Sequence, residues 1–172
     1  MTYLFLDCET TSLSPERGHV WEIGIAFDDE PAESFVVNHS LVNANMQSLE
    51  IGDYWRRVGG FSAKDGIERE AALVERIKDQ SELYIVGANP RFDVNFLNKR
   101  WGGESWSHRL IDVQVYAMGA FRTQFPLSLT SVADLVRGLG FEIPENKHTA
   151  ASDVECTRAV FLALQKVYEE RR

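Results

Sequence analysis

Asp7 and Glu9 stand two residues apart at the end of a short apolar run, Tyr3-Leu4-Phe5-Leu6. If that run is a strand, its two-residue period sends both carboxylates to one face and Cys8 to the other. Carboxylates held side by side repel and raise each other's pKa unless a cation intervenes. Hard oxygen donors of this kind suit Mg²⁺ or Mn²⁺. A solvated pair at a strand end is the competing reading. A second signal is Gly87-Ala88-Asn89-Pro90-Arg91-Phe92-Asp93, in which Pro90 opens a helix and Asp93 falls in its first turn, where the helix dipole favours a carboxylate. The third is His148-Thr149-Ala150-Ala151-Ser152-Asp153, a histidine just before the last helix with an acid in that helix's first turn. Taken singly, a helix-start Asp or a structural His explains each of these two.

The elements that must position these groups read as follows. Tyr3 to Leu6 fits a buried strand. Val20 to Phe27 alternates, with Trp21, Ile23, Ile25 and Phe27 on one face and Val20, Glu22 and Gly24 on the other. The turn Asp28-Asp29-Glu30-Pro31 and the run Ser34-Phe35-Val36-Val37 then predict an antiparallel hairpin. Between residues 40 and 65, Leu49, Tyr54, Trp55 and Val58 fit a short helix that Gly59-Gly60 breaks. Helices are expected over Glu68–Lys78 and Arg91–Trp101, the latter stopped by Gly102-Gly103, and strands over Leu83–Val86 and His108–Ile111. A further helix starts at Asp112, which reads as its cap rather than as a residue supporting the site. Ser131 and Asp134 spell a capping box for a helix ending at Arg137, and the last helix spans Thr149–Glu170. Clustered strands followed by alternating strands and helices imply an α/β fold, a mixed sheet with helices packed on it. Glu22 has a route to the acidic pair across the sheet, but reads as a solvated strand residue. His19, His39 and His108 lack metal-ligand spacing, and Cys8 and Cys156 read as buried, inert thiols.

Together the three signals are far more specific than any one. Phe5-Leu6-Asp7-Cys8-Glu9-Thr10-Thr11-Ser12-Leu13 resembles the first motif of the DEDDh 3′–5′ exonucleases, which include polymerase proofreading subunits, ribonuclease T and oligoribonuclease. Asn89 to Phe96 resembles the second motif and His148 to Asp153 the third, and Leu127-Ser128-Leu129 with Ile143-Pro144 is similar to the stretch leading into the third. The likeness covers nearly the whole chain. It departs at Gly87-Ala88-Asn89, commonly Gly-His-Asn in the family, and over residues 40–65, which lack the frequent His-Gly-Ile-Thr-like turn.

The resemblance implies a ribonuclease H-like fold, a five-stranded mixed sheet flanked by helices, over one domain, residues 1–172. It implies that Asp7, Glu9, Asp93 and Asp153 hold two divalent cations, Mg²⁺ or Mn²⁺, about 4 Å apart, with His148 as general base. Thr10 and Thr11 would meet the 3′-terminal nucleotide through their backbones, Leu13 would wedge between its last bases, and Asn89 and Phe92 would line the same region. Core packing is the competing reading for Leu13 and Phe92. The implied partners are single-stranded 3′ ends, DNA slightly ahead of RNA, with a homodimer or a polymerase as the implied assembly. An oligoribonuclease-like RNA exonuclease, a ribonuclease H-type endonuclease and a non-catalytic nucleic-acid-binding module on the same fold are the alternatives. The intact set of five residues speaks against the last, and the His148–Asp153 pair against an endonuclease.

Composition bounds these readings. The chain has 172 residues, 44% hydrophobic and 26% charged, as in ordinary globular proteins. No stretch nears the ~20 apolar residues of a membrane helix. The start lacks the basic and small-residue signals of a secretory leader, and two distant cysteines fit a reducing, cytoplasmic setting. A net charge of −8 argues against a long electrostatic grip on duplex. Two bound divalent cations would halve that charge, leaving a few local basic residues such as Arg91, Lys99, Arg100 and Lys147 to assist at a single-stranded end.

Overall fold

The computed structural model of the protein describes residues 1–102 and 109–170. The described strands are β1 (Thr2–Thr10), β2 (Val20–Phe27), β3 (Glu33–Val36), β4 (Leu83–Gly87) and β5 (Leu110–Asp112). They form one sheet in the order β3-β2-β1-β4-β5. β1, β2 and β3 pair antiparallel, whereas β4 and β5 run parallel to β1. The sheet is therefore mixed and five-stranded, as expected. The helices are α1 (Met46–Ile51), α2 (Tyr54–Arg57), α3 (Ala63–Lys78), α4 (Pro90–Trp101), α5 (Val113–Phe121), α6 (Leu129–Gly138) and α7 (Ala150–Glu170).

The period of two sorts the strand residues into two cores. Phe5, Ala26 and Val86 face Val113, Ala117, Val132, Val154, Phe161 and Leu164 of α5, α6 and α7. Leu4, Leu6, Cys8, Ile23, Ile25 and Ile85 face Leu73 and Ile77 of α3 and Val94, Phe96 and Leu97 of α4. Both sheet faces are thus covered, which is why the central strands read as near-continuous apolar runs. Trp21 is fully buried with Leu49 and Tyr54 in a third, smaller cluster that ties α1 and α2 to β2.

Several boundaries differ from the sequence expectation, each for a local reason. α3 begins at Ala63, five residues before Glu68, because the Ser62 hydroxyl accepts from the Asp65 amide. α6 begins at Leu129, because Ser128 rather than Ser131 is its cap; Asp134 makes no capping box and instead pairs with Arg137 at 2.7 Å. Asp112 is the cap of α5, accepting from Gln114 N at 2.9 Å. β5 lies at Leu110–Asp112, and His108 and Gly103 fall outside the described residues.

The feature that matters most for the site is the seat of α7. Asp7 on β1 is paired with Gly24 on β2. A Cβ built on Gly24 would lie 2.5 Å from the Ala150 carbonyl carbon and oxygen. Only hydrogen at this position lets the first turn of α7 rest directly on the sheet. Gly24→Ala should therefore push α7 outward and lower stability by about 1–3 kcal/mol, an overpacking cost. Thermal unfolding of the variant checks this; an unchanged melting temperature would mean that α7 is not seated so closely.

Candidate active site

Asp7 and Glu9 sit in the last turns of pleat of β1, on the same face as Phe5 and therefore toward α7. The Gly24 contact brings Asp153, in the first turn of α7, to that face. Asp93 arrives from the other side. The β1–β4 ladder ends at the pair Phe5–Val86, and farther along β1 the Cys8 N–H donates to Asp93 Oδ1 at 2.9 Å. α4 can deliver Asp93 there because Asn89 turns the chain through a left-handed conformation (φ 59°) and Pro90 starts the helix at once. Asp93 is buried. Three elements thus converge on the carboxyl end of β1, the usual place for ligands in open α/β sheets.

The electrostatics follow from this crowding. Burial raises Asp7 well above the ordinary carboxylate range, and Asp93, Asp153, Glu9 and Glu22 each push it further. Asp93 is raised by burial, against the pull of the Cys8 amide. Burial pushes Glu9 up to about 7, with Arg57 opposing and Glu22 adding to the rise. Asp153 is raised by burial, while Ser152, the His148 imidazole and the His148 amide all pull it down. Such a set of oxygen donors is short of positive charge, which is the condition a hard divalent cation meets. Among the described residues, no three Asp, Glu, His or Cys side chains are gathered tightly enough to cage one ion as they stand. In the donor set itself, the oxygens and their unfavourable ionisation fit Mg²⁺ or Mn²⁺.

His148 is exposed on the loop just before α7, in a left-handed conformation (φ 52°). Its N–H donates to Asn146 Oδ1 at 3.0 Å. Behind it, Thr149 and Ser152 exchange hydrogen bonds, Ser152 N to Thr149 Oγ1 and Thr149 N to Ser152 Oγ, both at 3.3 Å. Ser152 Oγ also donates to Asp153 Oδ1 at 3.1 Å, so the histidine loop and the α7 acid are fixed by one small network.

Two further residues bear on the site, one from the reading set aside for Glu22 and one from a segment with no expected role. Glu22, expected to be solvated, is buried, because it lies directly opposite Glu9 on β2 and under the start of α7. It accepts from Ser34 Oγ at 2.8 Å, from Ala150 N at 3.3 Å and from Arg57. Arg57, at the end of α2, comes from the segment over which the resemblance departs. The register of β1 on β2 would have located Glu22; nothing in the sequence marked Arg57.

The softer expectations divide. Leu13 is 79% exposed, so it is not a core residue. Asn89 is exposed, and Phe92 is partly buried with its ring 4.9 Å from that of Phe96. Thr10 and Thr11 are buried. Thr11 N donates to the His19 carbonyl at 2.8 Å and Thr11 O accepts from Asn45 N at 2.7 Å, so both its main-chain groups already have partners. Of the basic residues, Arg91 and Lys147 are exposed. Lys99 is drawn onto the carbonyls of Pro15, Glu16 and Gly18, and Arg100 pairs with Glu70, so these two hold structure instead. His39 bridges Val37 O and Tyr54 Oη, and Cys8 and Cys156 are buried free thiols, as expected. Among the described residues, no helix is long and apolar enough to cross a membrane.

These raised carboxylates bind more protons folded than unfolded. Their contribution to stability is fully present below the ordinary carboxylate value near 4 and is lost as pH rises through their native values, about 7 for Glu9. In EDTA, the melting temperature should therefore fall between about pH 5.5 and pH 8.5. Millimolar Mg²⁺ or Mn²⁺ should raise it at the alkaline end and not at the acid end. Differential scanning fluorimetry reads both, and a melting temperature indifferent to metal at high pH would count against a cation site.

No protein-family model matches the chain. Over 168 residues it is 29% identical to the PolC-type DNA polymerase III of Thermotoga maritima, an alignment covering 94% of this chain and 12% of that polymerase. The Thermotoga petrophila PolC-type polymerase aligns with the same identity and coverage. The chain thus spans about 12% of the length of these curated relatives. Among solved structures, Escherichia coli exonuclease I in complex with a dA16 oligonucleotide superposes with a TM-score of 0.66 at 19% identity, over 99% of this chain and 42% of that one. Brucella melitensis NrnC superposes with a TM-score of 0.61 at 17% identity, over 98% of this chain and 74% of that one, and it has also been solved bound to pGG. At these identities the structural likeness is one of fold. The chain thus shares its ribonuclease H-like fold with exonuclease I and NrnC, and on that fold lie Asp7, Glu9, Asp93, His148 and Asp153, whose surrounding sequence resembles the DEDDh motifs.

Proposed function

We propose that residues 1–172 form one metal-dependent 3′–5′ exonuclease domain. It hydrolyses phosphodiester bonds at single-stranded 3′ ends, DNA ahead of RNA, and releases nucleoside 5′-monophosphates. The observation that carries this reading is the convergence of Asp7, Glu9, Asp93 and Asp153 from three elements onto one buried, electron-rich corner with His148 at its lip. The exonuclease I complex with dA16 and the PolC-type relatives favour a single-stranded DNA end.

Two divalent cations, Mg²⁺ or Mn²⁺, would supply an acidified water and positive charge for the phosphate and its leaving 3′ oxygen. The four carboxylates would hold them. His148 takes the proton of the attacking water at a ring nitrogen, and its exposure leaves that nitrogen reachable from solvent. Asp153, beside it, stabilises the imidazolium that results. Leu13, exposed in the β1–β2 loop, offers an apolar edge against the terminal bases, and Asn89 and Phe92 flank the helix start that carries Asp93. Activity on RNA is the second reading, supported by the fold shared with NrnC in its pGG-bound form.

End-labelled single-stranded DNA and RNA, incubated with Mg²⁺, Mn²⁺ or EDTA, test the proposal. A ladder shortening from the 3′ end, abolished by EDTA and by Asp7→Ala, is expected. First cuts at internal positions, or full activity in Asp7→Ala, would sink it. His148→Ala should slow the chemical step by roughly 10²–10⁴-fold; a fall below about tenfold would make His148 structural rather than the base.

A further inference from the structure

Five carboxylates, not four, bear on the acidic corner. Glu22 lies directly opposite Glu9 across the β1–β2 ladder, and its side chain is only 7% exposed. Like charges placed opposite each other in a sheet destabilise it. Arg57 enters between them with a side chain only 14% exposed. Its Nη2 donates to Glu22 Oε2 in a close ion pair. Its Nη1 lies 3.7 Å from Glu9 Oε1, donates to the Gly52 carbonyl at 2.8 Å and reaches the His148 carbonyl at 3.5 Å. The guanidinium carbon sits 5.0 Å from the ring centroid of the fully buried Trp21. A Cβ on Gly52 would come within 3.0 Å of Glu9 Oε2 and 2.8 Å of Trp21, so the link between α1 and α2 lies flush against both.

We infer that Arg57 is a positioning residue of the site: it sequesters Glu22 as a neutral ion pair, aims Glu9 toward the other carboxylates, and ties the His148 loop to the same point. A planar guanidinium suits this task, because one group supplies several donors in a fixed fork while stacking on an aromatic ring. The partition follows from charge. With Glu22 cancelled by Arg57, four acids remain for cations. Residues 40–65 thereby have a role in the site, through a side chain that never needs to touch substrate.

The inference rests on the exonuclease reading and is tested apart from it. Arg57→Met/Glu22→Gln removes both members of the buried pair and leaves the net charge of the protein unchanged, so neither Arg57 nor Glu22 remains as an unpaired buried ion. Mn²⁺ binding to the full chain, measured by calorimetry without nucleic acid, should weaken by roughly 10–100-fold. On single-stranded DNA, kcat should fall with KM little changed. If Arg57 only neutralised Glu22 within the fold, the double variant would bind Mn²⁺ as tightly as the wild type, and that result overturns the inference. Should the double variant fail to fold, Arg57→Lys keeps the charge without the fork. It should also bind Mn²⁺ more weakly, and wild-type affinity there overturns the inference equally. A wild-type chain that neither binds Mn²⁺ nor shortens DNA defeats the exonuclease reading itself. A wild type that does both beside an unaltered double variant defeats only the role of Arg57.

Discussion

Mutual repulsion among acids that the fold forces together is the interaction to which the rest of this structure answers. Asp7 and Glu9 share a face because a strand repeats every two residues. Asp153 joins them because Gly24 leaves room for α7. Asp93 joins because the end of the β1–β4 ladder leaves the Cys8 amide to be satisfied by a side chain. Each of these placements is locally reasonable, and their sum is a buried corner whose members resist ionising together. The two apolar cores on either side of the sheet offset that cost. A site that is unfavourable while empty of positive charge is one whose favourable state includes it.

The corner also explains the otherwise irregular stretch between β3 and α3. Two short helices with little intrinsic stability are held by Trp21, Leu49 and Tyr54, and by Asn45 N on the Thr11 carbonyl. Their apolar burial is small, and Trp55 and Ile51 remain exposed. What the segment delivers is Arg57 and a glycine beside Glu9. Short local structure pinned at several points is a common way to place one side chain accurately without a long element to carry it.

Much of this was legible from residues alone. The β1 carboxylates followed from period-two geometry, the hairpin from its turn residues, and α7 from helical spacing at Val154, Thr157, Phe161, Leu164 and Tyr168, the first four buried in the structure and Tyr168 partly so. Asp93 and Asp153 were placed in first turns by Pro90 and by the histidine loop. What escaped is instructive. The starts of α3 and α6 moved upstream because Ser62 and Ser128 cap them, and a serine's capping role depends on its backbone conformation, which the pattern of apolar residues does not report. Glu22 looked solvated because alternation says which face a residue is on, not what covers that face. Lys99 and Arg100 looked available because charge in a sequence carries no record of its partner. Arg57 was invisible because its contacts join residues 9, 22, 52 and 148, a non-local meeting that no window along the chain contains.

The last helix has a consequence of its own. α7 is 21 residues long, which at 1.5 Å per residue is roughly 30 Å. It starts against the acids and ends with Tyr168 stacked on Tyr116 beneath Gly119. Along its length it contributes Val154, Val160, Phe161 and Leu164 to the larger core. A rod buried so continuously along one face belongs, over its middle turns, to the most protected cooperative unit of the molecule. The acid in its first turn is carried on the same rod that builds the larger core, and amide exchange along the buried middle of α7 is expected to track global unfolding rather than local breathing.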